Sequence, residues 1–334
     1  MADLRTIDAH AHILTEETMA TLRREVPNYR LQLRDRDGDF ATLEAGAISY
    51  PNFPRGGWDL ERRCHDMARA KFDRQLLSVL PQTVAYDEEP AVALALSQIQ
   101  NEHIAALVKR HPDRFLGVGT VPLQSPDAAA AELRRCMIEL GLRGIMIGSN
   151  VRGRNFDDPG LEPVWAAAAE LGALIFIHPT TPAAADRLKG YYLRNFIGNP
   201  LDTTIAAACL VFAGVLERHP DIKIFLSHGG GFLPYQEARF VHGWREREEA
   251  KKNLKVSPAA SLGRFFYDTI LHARKPLEFL IGSAGADRVL LGSDYPFDMG
   301  QYDTVELIAS LSIPEADKAK ILGGNARALL GAVS

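Results

Sequence analysis

The chain has 334 residues, of which 46% are hydrophobic and 24% charged, with a formal net charge of −4. That length holds one large α/β barrel or two modest domains; the acidic balance argues against nucleic acid as a partner, and no apolar run reaches the roughly 20 residues of a membrane span. No basic segment with an apolar core and cleavage site opens the sequence, and three scattered cysteines (Cys64, Cys136, Cys209) fit reduced thiols, so the expected compartment is the cytoplasm.

The first predicted strand, 5–9, runs into Thr6-Ile7-Asp8-Ala9-His10-Ala11-His12. Side chains at i and i+2 share a face of a strand, so His10 and His12 project together, as two ligands of one metal ion would. Asp8 shares that face, as outer support of a metal or as a structural hydrogen-bonding group. About sixty residues then intervene before the next strand, far more than an ordinary βα connection. Residues 14–58 mix charges with Gly and Pro and read as an insertion over the site, with short antiparallel strands within 40–49. The insertion carries Arg55, in Asn52-Phe53-Pro54-Arg55-Gly56-Gly57, placed to clamp a substrate carboxylate.

A helix at 59–71 follows, and from there short apolar runs alternate with helical ones. Strands are predicted at 74–80, 115–121, 144–148, 173–178, 222–228, 265–271 and 288–293, and helices at 90–110, 127–140, 162–171, 203–218 and 276–283. Near-continuous apolar strands indicate burial on both faces, as in a parallel sheet. With the first strand this makes eight strands and intervening helices, the pattern of a (β/α)8 barrel whose functional groups sit at the C-terminal strand ends. A doubly wound sheet is the competing architecture, but it would draw its ligands from one switch point.

Three later runs end in a polar group at that end: Ile175-Phe176-Ile177-His178, Ile224-Phe225-Leu226-Ser227-His228 and Val289-Leu290-Leu291-Gly292-Ser293-Asp294. His10, His12, His178 and Asp294 are the candidate metal ligands, three imidazoles and a carboxylate suited to zinc, with iron, manganese and cobalt also compatible. His228, before Gly229-Gly230-Gly231, is the preferred acid/base; the reverse assignment, His228 as ligand and Asp294 as base, stays open. His65, His103, His111 and His219 fall in or just after helices and read as solvated or capping groups. His272 follows the seventh strand and is a weaker candidate to face the site. Arg239 lies on the helix after the glycine triplet, and the charge run 245–252 reads as a solvated face.

On Ile7-Asp8-Ala9-His10-Ala11-His12, Val121-Pro122-Leu123-Gln124, His178-Pro179, Ser227-His228-Gly229-Gly230-Gly231 and Leu291-Gly292-Ser293-Asp294-Tyr295-Pro296-Phe297, the chain from residue 7 to about 323 resembles the amidohydrolase superfamily, in its branch of metal-dependent decarboxylases. The resemblance implies a distorted (β/α)8 barrel with a small β-rich insertion, one zinc held by His10, His12, His178 and Asp294, and His228 as acid/base. It also implies that an insertion arginine and one from a neighbouring subunit bind substrate carboxylates; these fall on Arg55 and Arg239, and imply a homodimer. Phe53-Pro54-Arg55 is one residue longer than the family's Phe-Arg. His10 favours the semialdehyde branch over the hydroxybenzoate enzymes, which begin with Glu-x-His. Asn195-Phe196 stands where the family places an aromatic wall, so Asn195 and Phe297 are further candidate substrate contacts.

The expected reaction is non-oxidative decarboxylation of an unsaturated, ring-cleavage-type carboxylate such as a carboxymuconate semialdehyde. The runner-up is hydrolysis or hydration of a lactone or unsaturated diacid on the same metal. No strand ends in the lysine that a binuclear amidohydrolase bridges its metals with. A non-catalytic anion-binding barrel is the third reading, set against the presence of all five polar groups.

Overall fold

The computed structural model describes residues 5–331, so the expected 1–334 domain reaches beyond them at both ends. Its strands are β1 (Ile7–His12), β2 (Leu31–Asp37), β3 (Phe40–Ala45), β4 (Ile48–Pro54), β5 (Arg74–Ser78), β6 (Phe115–Gly117), β7 (Gly144–Ile147), β8 (Leu174–Ile177), β9 (Lys223–Leu226), β10 (Phe266–Asp268) and β11 (Val289–Leu290). They form a parallel sheet β1-β5-β6, a parallel sheet β11-β10-β9-β8-β7, and an antiparallel sheet β2-β3-β4. Each of the eight predicted strands has its counterpart in the parallel sheets, and each is shorter than expected at one end or both, except the first, which continues through His12.

The parallel sheets meet at both edges. Met146 N–H donates to the Gly119 carbonyl at 2.7 Å beside β6 and β7, and Ala9 N–H to the Leu291 carbonyl at 2.8 Å beside β11 and β1. Bridges at these edges are parallel as well, so the C-terminal ends of the strands lie together. All four residues of β8 are buried, which is why its sequence is apolar without alternation; all six of β1 are buried too, but its alternate positions carry the polar Asp8, His10 and His12.

The predicted helices at 90–110 and 162–171 are observed as Pro90–Arg110 and Glu162–Leu171, the latter closed by Gly172 in the left-handed conformation. The helix expected over 203–218 is instead two, Asn199–Phe212 and Val215–Arg218. Gly214, with φ of 71°, separates them, and a Cβ there would sit 2.5 Å from the Asn253 carbonyl oxygen.

Between β1 and β5 the chain makes more structure than the sequence discloses. Helix Glu16–Glu25 starts on Thr15, whose hydroxyl accepts from Thr18 N–H at 3.2 Å, a cap of about 1 kcal/mol. The antiparallel sheet extends over Leu31–Pro54, well beyond the expected 40–49. Leu14, Met19, Leu22, Leu43, Phe53 and Trp58 belong to a second small core, which Phe297 also joins. Helix Leu60–Arg69 follows, its Asp59 cap accepting from Arg62 N–H at 3.1 Å. Among the described residues, no helix is long and apolar enough to cross a membrane.

Candidate metal centre

The pleat of β1 carries His10 and His12 on one face, both fully buried. His178 directly follows β8, and Asp294 lies four residues past β11. One atom from each of the four comes within 4.8 Å of the others. Asp294 Oδ1 is 3.2 Å from His10 Nε2, 3.2 Å from His12 Nε2 and 3.8 Å from His178 Nε2, and the Nε2 atoms of His10 and His12 are 3.0 Å apart.

The far nitrogen of each ring decides what the near one can do. His10 Nδ1 meets Asp268 Oδ2 at 2.7 Å, His12 Nδ1 the Val79 carbonyl at 2.9 Å and His178 Nδ1 the Pro179 carbonyl at 3.0 Å. Carbonyls and carboxylates only accept, so each Nδ1 carries its proton and each Nε2 turns a lone pair inward. Three lone pairs and a carboxylate oxygen at these separations repel one another unless a proton or a metal cation lies between them. Consistently, His178 Nε2 is buried with no hydrogen-bond partner. The residues fit a metal ion.

The electrostatics agree. Burial lowers the proton affinity of His178, with His12, His10 and His228 adding to the effect. Burial would lower that of His10 too, but the Asp294 and Asp268 carboxylates push it up to about 9. Burial would raise Asp294, but the charge on His10 and the imidazoles of His10, His12 and His178 around it hold it well below the usual carboxylate range. This is a place built to hold positive charge.

His228 stands one step outside the cluster. Its Nε2 lies 3.4 Å from Asp294 Oδ2, the oxygen turned away from the three imidazoles, and its side chain keeps 17% exposure. Its φ of 55° and Asp294's φ of 58° are left-handed values on non-glycine residues, strain of the kind that collects at functional sites. Asp268 holds the His228 turn in place. Its carboxylate accepts from the backbone N–H groups of His228 at 2.7 Å and Gly229 at 2.8 Å while also bonding His10 Nδ1. Gly292 lets β10 approach this closely, since a Cβ there would lie 2.8 Å from that of Asp268 and 3.1 Å from that of His10.

Above these groups opens a cavity of about 580 Å³, with His178, His228 and Asp294 at its floor. Phe297 and Asn195 both line it, the Phe297 ring 5.4 Å from that of His12. Arg55 is placed elsewhere. It pairs with Asp59 at 2.7 Å, four residues on, and faces a neighbouring cavity of about 990 Å³ that also takes in Arg62, Asp66 and Tyr295. The expected substrate clamp is therefore captured locally by a helix-capping carboxylate. Arg239, on helix Leu233–Glu246, is exposed and lines neither cavity of its own chain. His272 is exposed; its backbone N–H donates to Gln301 Oε1 at 2.9 Å and its ring is absent from the cavity wall. Asp8 accepts from Ser293 Oγ at 2.6 Å and Gln75 Nε2 at 2.8 Å, behind the ligands.

Sequence reasoning passed over Asp268, although a carboxylate inside Phe265-Phe266-Tyr267-Asp268-Thr269-Ile270-Leu271 is the same signal that marks the ligands. It also passed over Lys189, Tyr192 and Arg194, which line the cavity from the segment between β8 and helix Asn199–Phe212.

This chain belongs to the amidohydrolase family whose profile, Amidohydro_2, matches residues 7–332. Within that family it is similar to decarboxylases. It is 40% identical over 276 residues to 2-amino-3-carboxymuconate-6-semialdehyde decarboxylase of Dictyostelium discoideum, covering 82% of this chain and 77% of the relative. Gamma-resorcylate decarboxylase of Rhizobium sp. (strain MTP-10005) is 30% identical over 71% of this chain and 76% of its own. The crystal structure of 5-carboxyvanillate decarboxylase from Sphingomonas paucimobilis superposes with a TM-score of 0.83 at 26% identity, over 98% of this chain and 99% of that one. Dihydroxybenzoic acid decarboxylase from Polaromonas sp. JS666, solved with manganese and 2-nitroresorcinol, gives 0.80 at 25% identity, over 98% and 96%.

Proposed function

We propose that this chain is a metal-dependent, non-oxidative decarboxylase of an unsaturated, ring-cleavage-type carboxylate, of which a carboxymuconate semialdehyde is an example. One observation carries the reading: His228 Nε2 faces one oxygen of Asp294 while three imidazole nitrogens face the other, at the floor of a single cavity. His10, His12, His178 and Asp294 would hold one ion per subunit, and three neutral imidazoles with one carboxylate suit zinc. Manganese is bound in the Polaromonas structure, so the metal content of the purified protein is the direct check on zinc.

An ion held there supplies Lewis-acid charge to a substrate oxygen. The remaining work falls to side chains. His228, protonated at Nε2 and steadied by Asp294 Oδ2, delivers that proton to the carbon bearing the departing carboxylate. The bond to the carboxylate then breaks, carbon dioxide leaves, and its electron pair restores the conjugated double bond. Proton replaces carbon dioxide, and no oxidant is consumed. Phe297 and Asn195 would bound the substrate on either side.

The same reading covers the fold. Hydrogen bonds at both sheet edges support a closed, distorted (β/α)8 barrel, with residues 14–58 inserted near its mouth in one domain. The free thiols of Cys64, Cys136 and Cys209 support a cytoplasmic location. Arg239, exposed and without an ion pair among the described residues, supports a homodimer in which it reaches the neighbouring subunit's substrate. Mixing Arg239→Ala protein with a metal-ligand variant restores some activity in that case. The reaction is tested by assaying metal-loaded protein on carboxymuconate semialdehydes, hydroxybenzoates and lactones, scoring carbon dioxide; hydrolysis products without carbon dioxide would sink it.

A further inference from the structure

We propose that Lys189 and Arg194 form a subsite for a second substrate carboxylate, remote from the one that is lost, so that this chain selects dicarboxylates over monocarboxylates. The proposal rests on the decarboxylase reading, because it presumes that one carboxylate occupies the cavity floor.

Both residues line the 580 Å³ cavity above His178, His228 and Asp294, from the segment joining β8 to helix Asn199–Phe212. Neither forms an ion pair among the described residues. Arg194 reaches only the Thr180 carbonyl, at 3.4 Å. The arginines of the neighbouring insertion behave otherwise: Arg30 and Arg34 pair with Glu44, Arg36 with Glu16, and Arg55 with Asp59. Those four are tied to carboxylates of their own sheet and helices, whereas Lys189 and Arg194 stand at the cavity wall with their charged ends open to a ligand.

Nor do the cavity's own acids pair with the two among the described residues. Asp294 is turned toward the imidazoles, and Asp298 accepts from the hydroxyls of Tyr50 at 3.1 Å and Tyr192 at 3.5 Å. The outer wall therefore presents two cations with no ion-pair partner among the described residues to the open side of the cavity, which favours an anionic ligand group there. Asn195 beside them keeps that wall polar.

The segment is also anchored at its base. Buried Asp202 accepts from Ala183 N–H at 3.1 Å, and Asn150 Nδ2 donates to the Thr181 carbonyl at 2.7 Å. Anchoring lowers the ordering cost of binding. A guanidinium offers a carboxylate two parallel N–H donors and the lysine a mobile third contact. A monocarboxylate bound at the floor leaves both cations facing water.

The test is calorimetric titration of zinc-loaded protein with unreactive saturated acids, adipate against hexanoate. The wild-type chain prefers adipate by about tenfold or more, as expected for hydrogen bonds to charged groups. In the Lys189→Gln, Arg194→Gln double variant, with metal content confirmed as unchanged, that ratio falls toward one. A ratio that survives in the double variant, or a wild-type chain without preference, overturns the subsite. Loss of the preference on mutation, in a protein that releases carbon dioxide from none of the panel acids, keeps the subsite and discards the decarboxylase reading. Carbon dioxide release with the preference intact in the double variant does the reverse.

Discussion

The floor of the cavity and its outer wall are built on opposite terms. At the floor the four candidate ligands are buried and their surroundings are fixed: Asp268 holds His10 and the His228 turn, Val79 fixes His12, and Pro179 fixes His178. At the wall, Lys189 and Arg194 are exposed and without an ion pair among the described residues. The floor is over-determined because its chemistry tolerates no rotation of a ring. The wall is left open because its partner arrives with the substrate. In this architecture the floor sets the reaction and the wall sets the molecule on which it is run.

The comparison is broken most severely by removing a ligand. His12→Ala deletes one imidazole from a fully buried cluster and leaves Asp294 and two lone pairs without their geometry. Metal measured by elemental analysis falls to that of chelator-treated protein, and carbon dioxide release falls with it. An active, metal-replete variant would place the ion elsewhere. His228→Ala is the next largest. It keeps its metal, because His228 stands outside the four ligands, and loses about 10²- to 10⁴-fold in kcat, the range for a general acid. Unchanged kcat with full metal would remove His228 from the proton transfer.

Asp268→Asn comes third and tests whether the floor acts as a unit. One oxygen and one amide would replace a carboxylate that meets N–H groups from His10, His228, Gly229 and Ile270, so the amide must face a donor. Metal affinity drops about 10- to 100-fold, as for other groups that orient a metal-bound histidine. Because the same side chain steadies the His228 turn, kcat falls even at saturating metal, whereas a purely structural role would be cured by added metal.

How much of this was legible in the sequence divides along the same line. His178, His228 and Asp294 each follow an apolar run and His10 and His12 share one face at the end of the first strand, where polar side chains have no packing reason to sit, so all five positions could be read before any coordinates. Asp268 carried that signal but was followed by Thr269-Ile270-Leu271, and so looked like the interior of a longer strand rather than its end. The wall was not legible, because an irregular connection ending in the single turn Arg194–Gly198 has no period from which side-chain direction can be inferred. Strand Leu31–Asp37 was hidden for a related reason. Most of its length is solvent-facing, and Gln32 and Arg34 hold it to Glu44 across the sheet, so cross-strand polar pairs replace the apolar alternation that marks a strand. The break at Gly214 in the predicted 203–218 helix turned on one residue adopting positive φ, which glycine permits but does not announce.

The smallest expected effect sharpens the comparison instead of breaking it. Arg55 looked like a substrate clamp from its position in the insertion, yet an Asp at i+4 is the one partner that a local turn can always deliver, and Arg55 has taken it while remaining 48% exposed. An exposed pair of this kind contributes about 0–1 kcal/mol to stability. Arg55→Gln is therefore expected to change kcat/KM by less than about twofold and to lower Tm by a few degrees at most. Steady-state kinetics on the dicarboxylate substrate checks it against the Lys189 and Arg194 variants. A KM that rises tenfold or more on losing Arg55 would mean that the insertion swings its arginine off Asp59 and into the first cavity when substrate binds. The boundary between the two cavities, Phe297 and Asp298, would then be a moving part of the site rather than a wall.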